Sequence, residues 1–313
     1  MILDAQPHSH TGFDHEALLY AGLDDFVCEV AAFTAEGVDA GEPVLVVVGD
    51  HKIDALREEL GTRADHVRFA DMGGVGRNPS RIIGAWTDFL AGRDGAPMRG
   101  VGEPIWAERS AAEVSECQRH EALLNIALGD AFGCRLLCPY DTDSLSSSVI
   151  DEALRSHPII DVGGVRRPSE SYLPVQLIDP FSGTLPDPLP PVLTLSFKLD
   201  DLRHIRQSVT ELAASIGLSR ARACDAAVAV TEAATNSVMH GGGRGTVRIW
   251  TDGDELVCEV RDAGVITEPL AGRIRPRVTG SGGYGLWLAN QLSDLTEIRT
   301  DAAGSTVRLH FSH

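Results

Sequence analysis

Hydrophobic positions along the chain change their rhythm near residue 192. Before it, helical spacing alternates with short, uniformly apolar runs. Phe26, Val30 and Phe33 share one helical face, Gly41-Glu-Pro43 breaks the chain, and Val44-Leu-Val-Val-Val48 reads as a strand buried on both faces. Ile53–Leu60 predicts a helix closed by Gly61, Val67-Arg-Phe69 a strand ending at Asp71, Pro79–Leu90 a helix and Val101–Ile105 a strand. Ala111–Ala127 predicts a long helix opening after Ser110, and Arg135-Leu-Leu-Cys138 a strand capped by Pro139. Helices alternating with apolar strands imply an α/β domain with a mainly parallel sheet, here over residues 13–160. Residues 1–14 are polar and expected to fray.

Between 161 and 192 the chain is rich in Pro, Gly and Ser and finishes in Leu185-Pro-Asp-Pro-Leu-Pro-Pro191. Repeated prolines stiffen the backbone and remove donors, so this stretch reads as a linker, within which Val175–Ile178 has strand composition. From 193 to 313 the pattern belongs to an α+β two-layer sandwich. Leu193–Leu199 alternates as a half-buried strand, Leu202–Ile216 is a helix with Gly217 past its end, and Ser219 caps a helix running to His240. Thr246–Trp250 and Glu255–Arg261 alternate as antiparallel strands joined by Asp252-Gly-Asp254. Residues 265–279 lack apolar periodicity and read as a mobile loop, Tyr284–Leu292 is helical, and Leu295–Thr300 with Thr306–Phe311 makes a final hairpin. No internal repeat is visible.

Composition narrows the function classes. The 313 residues suffice for two domains with separate cores, and 43 % hydrophobic with 23 % charged residues is ordinary for a globular chain. No apolar run approaches the ~18 residues of a bilayer span, and no basic stretch precedes an apolar one at the N-terminus. A cytoplasmic location is expected, with no membrane partner. A net charge of −18 disfavours direct nucleic-acid binding and suits protein partners. The six cysteines form no pair of close pairs, so reduced thiols are expected rather than a four-cysteine zinc set.

Three segments carry the chemistry. On the helix before Gly241, Glu232, Asn236 and His240 recur every four residues and share a face. Asp262-Ala-Gly264 ends a strand, and Gly280-Ser-Gly-Gly-Tyr-Gly285 opens a helix. A polar helical face, an Asp after a strand and a glycine-rich helix entrance together suggest an ATP–Mg site.

This order resembles the GHKL (Bergerat) ATPase fold over about 193–313, in particular the anti-sigma-factor kinases. Glu232–His240 resembles the N-box, Asp262-Ala-Gly264 the first glycine box, Gly280–Leu288 the second, and Gly304-Ser-Thr306-Val the closing strand. The resemblance implies Asn236 as Mg²⁺ ligand and Glu232 as the catalytic residue orienting or deprotonating a hydroxyl. It further implies Asp262 with Gly264 at adenine, His240 and Gly280, Gly282, Gly283 and Gly285 near the phosphates, and Thr306 at the base edge. Two departures stand out: Ile266 occupies the place of a second glycine, and no helix before the domain carries the dimerisation histidine of a sensor kinase. His204, on the first helix of this domain, reads as a surface residue.

The first half offers a polar cluster without a closed catalytic set and without a phosphate-loop motif. Candidates are His15, Tyr20, Asp71, Arg77, Asn78, Glu103, Trp106, Glu116, His120, Glu121, Asn125, Tyr140, Asp141 and His157, several at strand ends where open α/β sheets form a crevice. His15–Tyr20, Gly76–Pro79, Gly102–Trp106, Arg119–Asn125 and Cys138–Asp141 resemble, in order, the MEDS (methanogen/methylotroph sensory) domain, which implies small-molecule sensing. Of the candidates, His15, Tyr20, Asp71, Arg77, Glu103, Trp106, His120, Glu121, Tyr140 and Asp141 make the expected ligand set. A metal or haem on His15, His120, Cys138 and His157 is an alternative to plain hydrogen bonding.

Together the resemblances imply a signalling regulator whose sensory domain, through an unidentified small molecule, controls a Mg–ATP-binding domain. That domain would bind a sigma factor or phosphorylate a STAS-type anti-anti-sigma partner on Ser or Thr. An ATP-holding switch without transfer, an atypical histidine kinase and an enzymatic first domain are the rivals; a homodimer is left open.

Overall fold

The computed structural model describes residues 12–92, 96–131, 133–174, 179, 181–276 and 283–313. The chain divides into two compact units. The first draws on Met1–Val75, Thr87–Ser110 and Glu121–Ile178, the second on Gly76–Trp86, Ala111–His120 and Asp179–His313. The break at residue 192 in the hydrophobic rhythm therefore marks a change of pattern, while two short segments of the first half are counted with the second unit.

The first unit contains β1 (Asp14–Tyr20), α1 (Gly22–Asp39), β2 (Val44–Val48), α2 (Asp50–Leu60), β3 (Val67–Asp71) and the single turn α3 (Met72–Val75). Then follow α4 (Ile82–Leu90), β4 (Met98–Gly102), α5 (Ala111–Ala127), β5 (Cys134–Asp141), α6 (Ser147–Ser156), β6 (Ile159–Val162) and β7 (Val165–Pro168). Helices α4 and α5 each contribute residues to both units. The strands lie in the order β3-β2-β4-β5-β1-β6-β7. All pairs are parallel except β6 with β7, so the unit is the expected α/β domain. Every residue of β2 is buried, as its unbroken Val/Leu run requires. Leu18, Phe26, Val30, Val46, Leu56, Val101 and Leu137 make the core around it.

Three strands, β1, β6 and β7, depart from the sequence expectations, β6 running into the start of the expected linker. β1, not expected from the sequence, sits centrally between β5 and β6. β7 occupies the start of the expected linker: the pair Gly163-Gly164, both at positive φ, makes a two-residue turn that folds Val165–Pro168 back onto β6. The strand expected at Val175–Ile178 lies outside the described residues.

The second unit adds β8 (Leu193–Lys198), α7 (Leu202–Ser215), α8 (Arg220–His240), β9 (Arg244–Asp252), β10 (Glu255–Asp262), α9 (Tyr284–Leu292), β11 (Leu295–Asp301) and β12 (Gly304–Phe311). Its sheet is antiparallel, in the order β11-β12-β10-β9-β8. Ser219 caps α8 by accepting from Arg222 N at 3.2 Å. Alanines 223, 226, 227, 229, 233 and 234 bury the face of α8 and let it sit low on Val247, Ile249, Cys258, Val260 and Leu309. The opposite sheet face is charged: fully buried Glu259 pairs with Arg248, Arg261 and Arg308 at 2.7, 2.6 and 2.7 Å. Three guanidiniums around one carboxylate supply the hydrogen bonds that make its burial tolerable. Among the described residues no helix is long and apolar enough to cross a membrane.

Candidate functional site

A cavity of about 530 Å³ opens in the second unit between the end of α8, the end of β10, the start of α9 and β12. Its wall includes Asn236, Ser237, His240, Gly241, Asp262, Gly264, Ile266, Gly272, Gly283, Leu286, Ser305 and Val307. Helical period brings Asn236 and His240 to it from one face of α8, as expected.

Asp262 is held at the wall by two donors. Ser237 Oγ donates to Asp262 Oδ2 at 2.5 Å, and Gly264 N donates to Asp262 Oδ1 at 2.7 Å. A carboxylate fixed this way presents a defined acceptor to the cavity. Gly264 has to be glycine: a Cβ there would stand 2.8 Å from Gly241 Cα and 3.0 Å from His240 O. Its carbonyl accepts from Ser305 Oγ at 2.9 Å, and Ser305 Oγ in turn accepts from Ile266 N at 3.2 Å. Ile266, standing where a second glycine was looked for, is packed against the core and lines the cavity.

Behind the wall at Asn236 the start of α9 makes a close approach to α8, with Gly285 and Glu232 outside the lining itself. A Cβ on Gly285 would meet Asn236 Nδ2 at 2.9 Å, Asn236 Oδ1 at 3.0 Å and Glu232 Oε2 at 3.2 Å. Only glycine lets the first turn of α9 lie flush against those two side chains. The free N–H groups of that turn and a side-chain carbonyl thus meet in one place, a combination suited to phosphate oxygens and a hard cation. Neither Lys nor Arg is among the described lining residues.

Thr306 is not where the sequence reading put it. In β12, residues 305 and 307 face the helices while 306 points with Arg308 to the charged face, opposite Arg261. Ser305, with Val307, lines the cavity instead; a period of two admits no other choice once Val307 is in the core. Ser237 was missed because its neighbour Asn236 carried the motif. Gly280 and Gly282 lie outside the described residues, as does the end of the loop expected at 265–279; residues 265–276 contain no helix or strand.

In the first unit a second cavity of about 510 Å³ lies at the carboxyl ends of the parallel strands. It gathers Tyr20, Asp71, Glu103, Trp106 and Asp141 of the expected ligand set, together with His51 and Lys52. Lys52, unnoticed in sequence, is central. Its Nζ donates to Tyr20 Oη at 2.7 Å and to Glu103 Oε1 at 2.6 Å, while Tyr20 Oη donates to the same carboxylate oxygen at 2.6 Å. Burial pushes Glu103 above the usual carboxylate range against the pull of Lys52, and burial beside Glu103 raises Tyr20.

The remaining expected ligands lie elsewhere. Arg77 and His120 belong to the second unit, where Arg77 Nε pairs with Asp294 Oδ1 at 2.8 Å. Asn78, also there, is fully buried and donates to Asn290 O and Thr296 Oγ1 at 3.1 and 3.0 Å. Glu116 in the same unit pairs with Arg299 at 2.8 Å. His15 and Glu121 form a separate buried cluster with Cys138 and His157, and Tyr140 packs edge-on against the His157 ring. Glu121, rather than its neighbour His120, joins that cluster because α5 turns about 100° per residue and presents only one of them.

Comparison with known proteins agrees with this division of chemistry. Residues 14–158 match the family model of the MEDS domain, the methanogen/methylotroph, DcmR sensory domain, and residues 195–311 match the histidine kinase-like ATPase domain. No curated protein matches the chain. Among solved structures, the RsbU and RsbW domains of a Mycobacterium tuberculosis protein are similar at 23 % identity, over 39 % of this chain and 32 % of that one, with a TM-score of 0.30. The chain spans about a third of the length of that protein.

Proposed function

We propose, from the premise that the chain carries a MEDS sensory domain followed by a histidine kinase-like ATPase domain, that it is a nucleotide-dependent partner switch. In this reading the second domain binds Mg–ATP. It captures a sigma factor or phosphorylates an anti-anti-sigma partner on Ser or Thr, under control of a small molecule held by the first domain.

The observation that carries the reading is the 530 Å³ cavity itself: Asp262 stands in its wall clamped by Ser237 and Gly264, and Asn236 of the same wall is closely approached by Gly285, which with Glu232 lies just behind the lining. The donor set fits the group. Asp262 offers a fixed acceptor for an exocyclic amine, and Gly264 admits a flat ring close to the backbone. Asn236 offers a neutral hard oxygen to Mg²⁺. Glu232, one turn earlier on α8, orients or deprotonates the incoming hydroxyl. Bound Mg–ATP supplies the transferable phosphoryl group and the charge that the wall lacks. Gly283 and Gly285 allow the first turn of α9 to turn its N–H groups toward the phosphates.

The first domain's cavity would take a small polar or amphipathic molecule, since Lys52, Glu103 and Tyr20 meet Trp106 and Ile105 in its wall. Occupancy there alters partner capture only if the ligand favours one of two states of the protein.

The test uses the full chain with γ-labelled ATP, Mg²⁺ and candidate STAS-type partners. The kinase reading expects label on a partner Ser or Thr and its loss in Glu232→Ala. ATP binding without transfer leaves the switch and removes the enzyme. No ATP binding at all ends both.

A further inference from the structure

We propose that His15, Glu121, Cys138 and His157 of the first unit form a closed, four-ligand site for a divalent zinc-class metal ion, separate from both cavities. The four residues come from distant parts of the chain: His15 on β1, Cys138 on the adjacent β5, Glu121 on α5 and His157 between α6 and β6. All are buried, at no more than 1 % exposure, and one ligand atom from each lies within 4.8 Å of all the others.

Three of the six ligand-atom separations are close to those of a coordination shell, and the others stay within 4.8 Å. His15 Nε2 lies 3.1 Å from Glu121 Oε2, His157 Nε2 lies 3.3 Å from the same oxygen, and Cys138 Sγ lies 3.4 Å from His15 Nε2. Tetrahedral zinc, with bonds of about 2.0–2.3 Å to N, O and S, separates its ligand atoms by roughly 3.3–3.6 Å. Two imidazoles, a thiol and a carboxylate are also the borderline-soft set that zinc selects.

The outer hydrogen bonds aim the ligands inward. His157 Nδ1 lies 2.8 Å from Ala153 O, an acceptor only, so Nδ1 carries the proton and Nε2 presents its lone pair. Asn125 Nδ2 donates to Ser156 O at 2.8 Å, which turns Asn125 Oδ1 toward His15 Nδ1 at 3.2 Å and sets the same tautomer there. Both Nε2 lone pairs therefore point at a carboxylate oxygen. Among the described residues His157 Nε2 has no hydrogen bond. Lone pairs converging on an anion in a dry interior are unfavourable, and a cation at their centre reverses the sign of every one of those interactions. Cys134, four residues before Cys138 on the same face of β5, is buried outside the cluster and serves as a control.

Because all four ligands come from the protein, the site is structural: it ties two strands of the sheet to α5 and to the end of α6. The full chain, purified without chelator, is expected to hold about one zinc per chain. Refolded with Co²⁺ alone, it is expected to show intense tetrahedral d–d bands and a thiolate-to-cobalt charge-transfer band, both displaced by zinc. Cys138→Ser loses the charge-transfer band, Cys134→Ser keeps it, and Asn125→Ala weakens binding about 10–100-fold through the lost orientation of His15. A wild-type chain with under about a tenth of an equivalent of metal and no cobalt bands overturns the inference. So does a charge-transfer band that survives Cys138→Ser.

Discussion

Ser237 Oγ donates a 2.5 Å hydrogen bond to Asp262 Oδ2, tying the last turn of α8 to the end of β10 across 25 residues of chain. Ser237→Ala frees one carboxylate oxygen without altering the backbone. A hydrogen bond to a charged group contributes about 1.5–3 kcal/mol, so ATP affinity falls about 10–100-fold. Asp262→Ala removes the acceptor itself and loses more. Calorimetric titration with ATP, with GTP as comparison, reads both. Equal ATP affinity in Ser237→Ala and the parent would show that Asp262 does not need its clamp.

Gly285→Ala tests the close approach behind Asn236. The added methyl meets Asn236 and Glu232 rather than backbone, so those side chains move and the fold stays. A misplacement of about 1 Å can cost on the order of 10²-fold in a reacting geometry. The expected result is a loss of the Mg²⁺-dependent part of ATP binding, with the melting temperature nearly unchanged. Full retention of Mg²⁺ dependence would separate Asn236 from the metal.

His310 makes stability depend on alkaline pH. Burial alone would lower its pKa, but Glu255 Oε2 at 3.3 Å and Glu297 Oε2 at 3.1 Å outweigh that and raise it from 6.5 to about 9. A folded pKa above the unfolded one means the stabilisation is complete below 6.5 and disappears as pH rises through about 9. It is worth on the order of 3 kcal/mol. Urea midpoints measured between those limits should fall for the parent chain and stay level for His310→Gln. A level profile in the parent would show that the two carboxylates do not hold the proton.

In the first unit, Lys52→Met leaves Glu103 buried with, among the described residues, only Tyr20 as side-chain donor. Removing one partner of a buried pair costs about 3–5 kcal/mol, and here on the order of 2–3 because Lys52 keeps some contact with water. The double variant Lys52→Met with Glu103→Leu should recover most of that loss in thermal melts. Failure to recover would mean that Lys52 acts through packing on Phe26, 4.5 Å from its ring centre, rather than through the carboxylate.

Much of the architecture was legible along the chain because its signals are local. Ser110 and Ser219 announced α5 and α8, Gly61 and Gly217 closed α2 and α7, and the all-apolar Val44–Val48 announced a strand covered on both faces. The segments bearing Asn236, Asp262 and Gly285 were legible for the same reason: each combines a periodic face or a strand end with a glycine that nothing else explains. By itself, then, the sequence determined most of the helices and strands, the α/β and α+β classes, and the segments that carry the three motifs. Only the tertiary structure decided partners. It brought Ser237 to Asp262, put Ser305 rather than Thr306 at the wall, set Lys52 between Tyr20 and Glu103, and sent Arg77 to Asp294 in the second unit. It also replaced His120 by Glu121 in the buried cluster with His15, Cys138 and His157. Periodicity states which face a side chain takes, whereas the atom it meets depends on strand register and helix packing between residues that are distant in sequence, from 25 positions apart upward.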